Sequence, residues 1–145
     1  MHVKELSHFR QVRQLVALHN QVWQSSPGII DLLQNSSDCF ILVDEGDQVI
    51  GYAFVEEDTK RGFVELQDIA VSPALRQKGG GKALVEAIMA RYPYIKLIAR
   101  IQNEPLINFY RQLGFKDEMA IENYYAINQD GLRMSWQASQ NKETK

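Results

Sequence analysis

Apolar and polar residues repeat along this chain with two periods, one of about 3.6 residues and one of about 2, and each period predicts one kind of element. Helical spacing predicts four helices, at 7–23, 29–33, 80–91 and 103–113. Alternating or continuous apolar runs between turn residues predict seven strands, at 2–6, 39–43, 49–55, 63–71, 95–101, 115–127 and 132–137. This order of elements predicts one α/β domain.

The turns between these runs predict how the strands pair. Glu45-Gly46-Asp47 and the stretch 58–62 are short and polar, so the three strands between 39 and 71 should form an antiparallel meander. Strand 95–101 follows a helix and should lie parallel to strand 63–71 through a right-handed crossover. The last two strands are predicted to form a hairpin that turns at 128–131.

Length and charge narrow the class of protein. A chain of 145 residues fits one domain, predicted at 1–138, with a polar and frayed tail at 139–145. The net charge of −2 gives no overall basic field, so we expect no nucleic-acid partner. No apolar stretch approaches the roughly 18 residues of a membrane span, and the N-terminus lacks a signal-peptide core. These features predict a cytoplasmic protein that does not bind membranes.

The single cysteine and the three histidines carry no chemistry in this interpretation. Cys39 lies in an apolar run and cannot form an intrachain disulfide, so we expect a buried core thiol. His2, His8 and His19 fall in the first two elements without ligand spacing, so we expect them at the surface. We expect no metal.

The segment from Leu75 to Leu84 is the first candidate site, because a strand ends before it, three glycines follow and a helix begins. Glycines allow a sharp turn that exposes backbone N–H groups, and a helix start adds unpaired donors and a positive dipole end. Arg76, Lys78 and Lys82 add positive charge, so the loop is predicted to bind phosphate. A solvated glycine-rich turn would show the same residues, and the loop alone leaves both interpretations open.

Two other phosphate motifs are excluded by the same residues. A Walker loop requires a glycine where Arg76 stands and a Ser or Thr where Ala83 stands. A Rossmann fingerprint requires a third glycine where Leu84 stands, and an acidic residue in the region that here reads Ile98-Ala99-Arg100-Ile101. Neither set of requirements is met.

The loop instead resembles the phosphate-binding motif of the GNAT superfamily of N-acetyltransferases, Gln/Arg-x-x-Gly-x-Gly/Ala, in the form Arg76-x-x-Gly79-x-Gly81. A second segment resembles that family's Asn and Phe/Leu-Tyr-x-x-x-Gly-Phe segment, in the form of Asn103 followed by Phe109-Tyr110-x-x-Leu113-Gly114-Phe115. The two segments stand in the family's order, and the predicted elements match the family's order over nearly the whole chain.

The resemblance implies a fold and a function. The fold is a mixed central sheet of about seven strands, mostly antiparallel and flanked by about four helices, in which one central parallel pair splays to admit CoA. The function is transfer of the acetyl group of acetyl-CoA to a primary amine of a small molecule or a peptide, by direct attack through a tetrahedral intermediate, in a monomer or homodimer. The alternative is a CoA-binding module with a regulatory role. Tyr110 favours the enzyme, because a binder needs no acid at the thioester sulfur.

The resemblance also assigns residues to acetyl-CoA. Tyr110 would be the general acid beside the sulfur, although an aromatic residue on an amphipathic helix is also explained by packing. Asn103 would contact the pantetheine, and its other role would be to cap the following helix. The residues implied in cofactor binding are Ile69, Ala70, Val71, Arg76, Gln77, Lys78, Gly79, Gly80, Gly81, Lys82, Asn103, Asn108 and Tyr110.

The general base and the amine pocket are less determined. Glu65 matches, by its distance from Val71, the acid that several family members use as a base or through a water relay, and Asp68 is the runner-up. Strict alternation places these two on opposite faces of the strand unless a bulge exchanges them. The residues implied for the amine substrate are Trp23, Glu65, Glu122, Tyr124 and Tyr125, although hairpin packing explains the two tyrosines as well.

Overall fold

The computed structural model describes residues 1–7, 9–22, 28–75 and 77–138. The strands are β1 (His2–Glu5), β2 (Asp38–Val43), β3 (Val49–Asp58), β4 (Phe63–Val71), β5 (Tyr94–Arg100), β6 (Lys116–Ala126) and β7 (Gln129–Gln137). The helices are α1 (Phe9–Val22), α2 (Ile29–Asn35), α3 (Gly80–Arg91) and α4 (Glu104–Gln112), with a 3₁₀ turn at Pro73–Leu75. The predictions for His8, Trp23, Arg76 and the tail 139–145 lie outside the described residues.

The seven strands form one mixed sheet in the order β1-β2-β3-β4-β5-β7-β6. β1 with β2, β2 with β3, β5 with β7 and β6 with β7 pair antiparallel. β4 and β5 pair parallel, with Val64 opposite Ile95 and Glu65 opposite Lys96. The predicted element order, mixed sheet and central parallel pair are therefore confirmed, whereas the splaying of that pair stays a prediction.

The predicted position of the last turn is wrong. β6 and β7 are joined at Ile127 and Asn128, and Asn128 has a φ of 62°, so the turn lies earlier than 128–131. Gly131 lies inside β7 and pairs with Arg100 of β5. A Cβ on Gly131 would lie 2.6 Å from the Ile98 side chain, so this glycine is required by close packing and does not mark a turn.

Contacts divide the chain into two compact units, and the first comprises Met1–Glu57 and Leu66–Arg91. In this unit one face of the strands packs on α1 and α2, where Leu15, Ile41 and Tyr52 are fully buried. On the other face α3 contacts β1 and β2, with Leu84 and Ile88 fully buried. Because β2 is covered on both faces, its residues form the continuous apolar run that the sequence showed.

The second unit comprises Asp58–Glu65 and the chain from Tyr92 onward. Alternate residues of β5, namely Ile95, Leu97 and Ala99, are buried, as the period of two predicts for a strand. The pairing of β6 with β7 shifts register between Ile121 and Ala126, so the segment that carries Glu122, Tyr124 and Tyr125 bulges from the ladder. Asn123 within this bulge has a φ of 55°.

Candidate active site

The loop after β4 has the geometry of a tight strand-to-helix turn. The Ser72 N–H donates to the Ile50 carbonyl at 2.8 Å, which ties the end of β4 to β3. Gln77 and Gly79 have φ values of 67° and 86°, in the left-handed region that glycine tolerates best. α3 then begins at Gly80, as predicted, and the 3₁₀ turn Pro73–Leu75 lies between the end of β4 and this helix.

The start of α3 presents the donors of an anion site. The Ala83 N–H makes the first turn's bond to the Gly79 carbonyl at 3.0 Å, so the N–H groups of Gly80, Gly81 and Lys82 precede the intrahelical ladder. Lys78 and Lys82 are exposed, and no acidic residue lies in the first turn. The described part of the loop therefore combines backbone donors, a helix dipole and two cations.

Close packing explains why α3 begins with glycine. A Cβ on Gly80 would lie 2.7 Å from Leu42 Cδ2 and 3.3 Å from Val71 Cγ1. Real Cβ atoms do not approach as closely as 2.7 Å, so any larger residue would require Leu42 of β2 to shift, and glycine lets the first turn of α3 lie directly against β2 and the end of β4. Gly79 is different, because a Cβ there would meet nothing within 4 Å and only its φ of 86° favours glycine.

β4 brings its two faces to different neighbours in the first unit. Asp68 and Ala70 face α1, whereas Val71 lies against Gly80 at the start of α3. Ile69 is half-buried, and its backbone N–H donates to the Asp68 carboxylate. Strict alternation thus holds between Asp68 and Val71.

Asp68 lies in a hydrogen-bonded network that reaches into the core. The Tyr52 hydroxyl donates to Asp68 Oδ2 at 3.1 Å, and the same hydroxyl lies 2.7 Å from His19 Nδ1. The Asp68 side chain is 16% exposed, whereas Tyr52 and His19 are 0% and 2% exposed. Burial raises the pKa of the Asp68 carboxyl above its ordinary value, and the hydrogen bond from Tyr52 and the nearby His19 lower it in part.

The prediction that His19 lies at the surface is wrong. Leu15, Leu18 and His19 form one buried stripe of α1, and the helical spacing from Leu15 to His19 was the signal that could have shown it. His19 Nε2 is buried and has no hydrogen-bond partner among the described residues. Because the sequence cannot show what an imidazole meets on another strand, the network with Tyr52 and Asp68 was missed.

Glu65 has a different environment, in the second unit. Its carboxylate lies 3.7 Å from the Arg133 guanidinium of β7, and its side chain is 34% exposed. Its sheet neighbour Lys96 lies over the rings of Phe63 and Tyr94 and pairs with Glu118. Glu65 therefore belongs to a layer of alternating charges on the sheet, and Asp68 belongs to a buried network.

The residues of the second motif lie on and before α4. Asn103 caps this helix, because its Oδ1 accepts from the Leu106 N–H at 3.2 Å. Asn108 is exposed and accepts from Arg111, which also holds Asp117 in a two-bond ion pair that lowers the pKa of the Asp117 carboxyl. Asn108, Arg111 and Asp117 line a pocket of about 400 Å³, together with Ile101, Glu104, Ile107 and Leu132.

Tyr110 is packed as an aromatic core residue. It is 3% exposed, and its ring makes edge contacts with Phe109 and Phe115 at 5.2 and 5.4 Å. The Phe115 N–H donates to the Tyr110 carbonyl at 3.0 Å, which closes the turn at the end of α4. The spacing Phe109-Tyr110 to Gly114-Phe115 thus has a structural role whatever the hydroxyl does.

The three residues implied for the amine, Glu122, Tyr124 and Tyr125, are exposed on the β6 bulge. The Tyr125 hydroxyl donates to the Ile98 carbonyl at 3.0 Å, and the Arg100 guanidinium lies 4.2 Å from the centre of its ring. Burial raises the pKa of Tyr125, with a smaller contribution from Tyr124. This exposed bulge offers aromatic and acidic groups to a bound molecule.

The candidate residues thus form two groups. In the first unit the structure brings together the described loop residues, the end of β4 and the Asp68 network. In the second unit it brings Asn103, Asn108 and Tyr110 onto one helix. Among the described residues no group of His, Cys, Asp and Glu side chains could hold a metal ion. None of the described helices is long and apolar enough to cross a membrane.

A mixed sheet of seven strands with a glycine-rich loop that leads from β4 into α3 is the fold of acetyltransferases of known structure. The chain belongs to the GNAT family of acetyltransferases, because the model described as "Acetyltransferase (GNAT) family" matches residues 9–115. That stretch contains both motifs and ends before β6.

Individual relatives agree on the family and differ in their acceptors. The N-alpha-acetyltransferase of Sulfurisphaera tokodaii is 28% identical over 126 residues, with 73% of each chain covered. The peptidyl-lysine N-acetyltransferase YiaC of Escherichia coli is 37% identical over 67 residues, which cover 41% of this chain and 46% of that protein. A crystal structure of an aminoglycoside 6′-N-acetyltransferase with coenzyme A has the same fold, with a TM-score of 0.80, 15% identity and coverage of 95% and 97%.

Proposed function

We propose that this protein is an N-acetyltransferase that moves the acetyl group of acetyl-CoA to a primary amine. The observation that carries the proposal is the match to the family model over 9–115, which includes both the loop and the α4 segment. The N–H groups that precede the hydrogen-bond ladder of α3, with Lys78 and Lys82, fit a pyrophosphate. Coenzyme A in a structural neighbour of the same fold supports this choice of ligand.

The reaction needs three groups. The neutral amine attacks the thioester carbonyl, the N–C bond forms, and the tetrahedral intermediate then collapses with loss of the thiolate. A base removes one proton from the amine nitrogen, and an acid, for which Tyr110 is our candidate, gives one proton to the departing sulfur. Backbone N–H groups of β4 near Val71 are our candidates to stabilise the oxyanion. Asn103 and Asn108 are our candidates to contact the pantetheine.

Both carboxylates remain candidates for the base. Glu65 forms a half-exposed ion pair with Arg133, whereas burial raises the pKa of the Asp68 carboxyl above its ordinary value, as expected of a group that takes up a proton. The comparison therefore favours Asp68.

Three of the residues that we propose for binding the acceptor, Glu122, Tyr124 and Tyr125, follow residue 115 and lie outside the stretch that the family model matches. The relatives act, by their names, on N-terminal, lysine and aminoglycoside amines. We propose a primary amine of a peptide or a small molecule, held by the exposed β6 bulge and by Trp23.

A thiol-release assay with acetyl-CoA tests the proposal. The acceptors are a peptide with a free α-amine, the same peptide N-terminally blocked with one lysine, spermidine and an aminoglycoside. We expect release of CoA with at least one of them, well above hydrolysis without acceptor. Calorimetric binding of acetyl-CoA without turnover of any amine would favour the CoA-binding module, and absence of binding would refute both.

A further inference from the structure

We propose that Tyr52 and His19 are positioning residues that hold Asp68 as the general base of acetyl transfer. The inference rests on the proposed function and goes beyond it, since neither residue belongs to the two motifs. Three elements converge here within the first unit: His19 of α1, Tyr52 of β3 and Asp68 of β4. In such a line, the buried imidazole and hydroxyl hold the carboxylate in one orientation through hydrogen bonds.

A count of protons gives the direction of this network when Asp68 is ionised. The Tyr52 hydroxyl has one hydrogen, and when it donates to the ionised Asp68 its oxygen must accept from His19. His19 therefore carries its proton on Nδ1, and every hydrogen bond in the line points toward the carboxylate. Tyr52 donates to Asp68 Oδ2, and the 16% exposed carboxylate is the end of the line at which we propose that an amine proton is taken up.

Exposure shows where a proton can enter. Tyr52 and His19 are buried, at 0% and 2% exposure, and only the Asp68 end of the line is open, at 16%. The buried Nε2 of His19 has no partner among the described residues. The observation that links this buried ring to Asp68 is the 2.7 Å contact between His19 Nδ1 and the Tyr52 hydroxyl, which in turn donates to the carboxylate.

The groups that bear on the Asp68 carboxylate are the Tyr52 hydroxyl, the His19 imidazole and the Ile69 backbone N–H. All three favour its charged form and oppose the effect of burial. Removal of the Tyr52 hydroxyl should therefore raise the pH at which the base becomes active. Glu65 lacks a buried network of this kind, and its described partner is Arg133 in a half-exposed ion pair.

Activity profiles of four variants test the proposal, with acetyl-CoA and the panel amine of highest kcat/KM. We expect Asp68→Asn to lower kcat/KM by ~10² to 10⁴. Tyr52→Phe should move the acidic limb of the pH profile of kcat/KM to higher pH by about one pH unit. His19→Leu should move it in the same direction, whereas His19→Asn should restore it in part, because the amide N–H can replace Nδ1–H.

The matched control is Tyr94→Phe, which removes a hydroxyl from β5 outside the network and should leave the limb in place. Each variant's thermal midpoint is measured as well, because a structural role alone would lower stability without moving the limb. An unmoved limb in Tyr52→Phe, or Asp68→Asn within threefold of wild type, would overturn the inference and leave the proposed function intact. A wild type that turns over no amine would overturn both.

Nitrogen NMR of the imidazole rings gives a test that does not depend on activity. In a His2→Gln, His8→Gln background only His19 remains, and we expect its Nδ1 to carry a proton that is hydrogen-bonded to Tyr52. A ring protonated on Nε2 alone would show that Tyr52 donates to His19 in place of Asp68, which would overturn the proposal.

Discussion

The substitution Gly80→Ala tests how tightly the start of α3 lies against β2 and the end of β4. It adds one methyl group at a point 2.7 Å from Leu42 Cδ2 and 3.3 Å from Val71 Cγ1. Carbon atoms normally approach to about 3.5 to 4.0 Å, so the overlap with Leu42 is close to 1 Å. Leu42 is fully buried, and it cannot move without disturbing its neighbours. Overpacking of this kind typically costs about 1 to 3 kcal/mol.

A loss of that size should lower the thermal midpoint by roughly 4 to 12 °C for a chain of this length. We expect weaker acetyl-CoA binding as well, because relief of the overlap moves the N–H groups of the first turn away from β4. The control is Gly46→Ala, whose Cβ would make only an ordinary contact, 3.5 Å from Asp44 Oδ1, and whose midpoint should stay near that of wild type. Circular dichroism melts and calorimetry measure the two effects. A Gly80→Ala protein with an unchanged midpoint would refute the packing argument.

Three further predictions address single side chains. Tyr110→Phe keeps the ring between Phe109 and Phe115 and removes only the hydroxyl. Because that hydroxyl is our candidate acid, we expect kcat to fall by ~10² to 10⁴ with little change in KM for acetyl-CoA. A folded variant with kcat near wild type, under conditions where chemistry is rate-limiting, would remove Tyr110 from the mechanism. Burial raises the pKa of the Cys39 thiol from 9.0 to about 12. Because the thiolate is the reactive form, a disulfide reagent should modify Cys39 in the native protein at roughly a thousandth of its rate in the unfolded chain. Equal rates in the two states would contradict this prediction. Burial raises the pKa of the Asp68 carboxyl above its ordinary value of 3.8. The stability that this carboxyl contributes is therefore fully present below pH 3.8 and is lost as the pH rises through its pKa in the folded protein. Urea unfolding should therefore show Asp68→Asn gaining on wild type between acid and neutral pH, and a constant difference would count against a buried charge.

The element order and the start of α3 were determined by the sequence itself. Helix and strand periods, the cap at Asn103 and the glycines after β4 act over a few residues, so their signals are readable in the chain. α3 runs from Gly80 to Arg91 as predicted, and the parallel pairing of β5 with β4 follows from the handedness of the crossover. Cys39 shows the limit, because it proved half-buried against the core and not fully inside it.

Only the tertiary structure decided which polar groups meet. His19, Tyr52 and Asp68 are separated by 33 and 16 positions, and nothing local to any of them indicates the other two. The same holds for Glu65, whose partner Arg133 lies on a strand far along the chain. The sequence predicts a turn at Gly131 because glycine permits turns. In the structure, glycine is required at this position because a Cβ would overlap the Ile98 side chain on the neighbouring strand. Local propensity depends on neighbours in sequence, but the charge state and orientation of a buried side chain depend on neighbours in space.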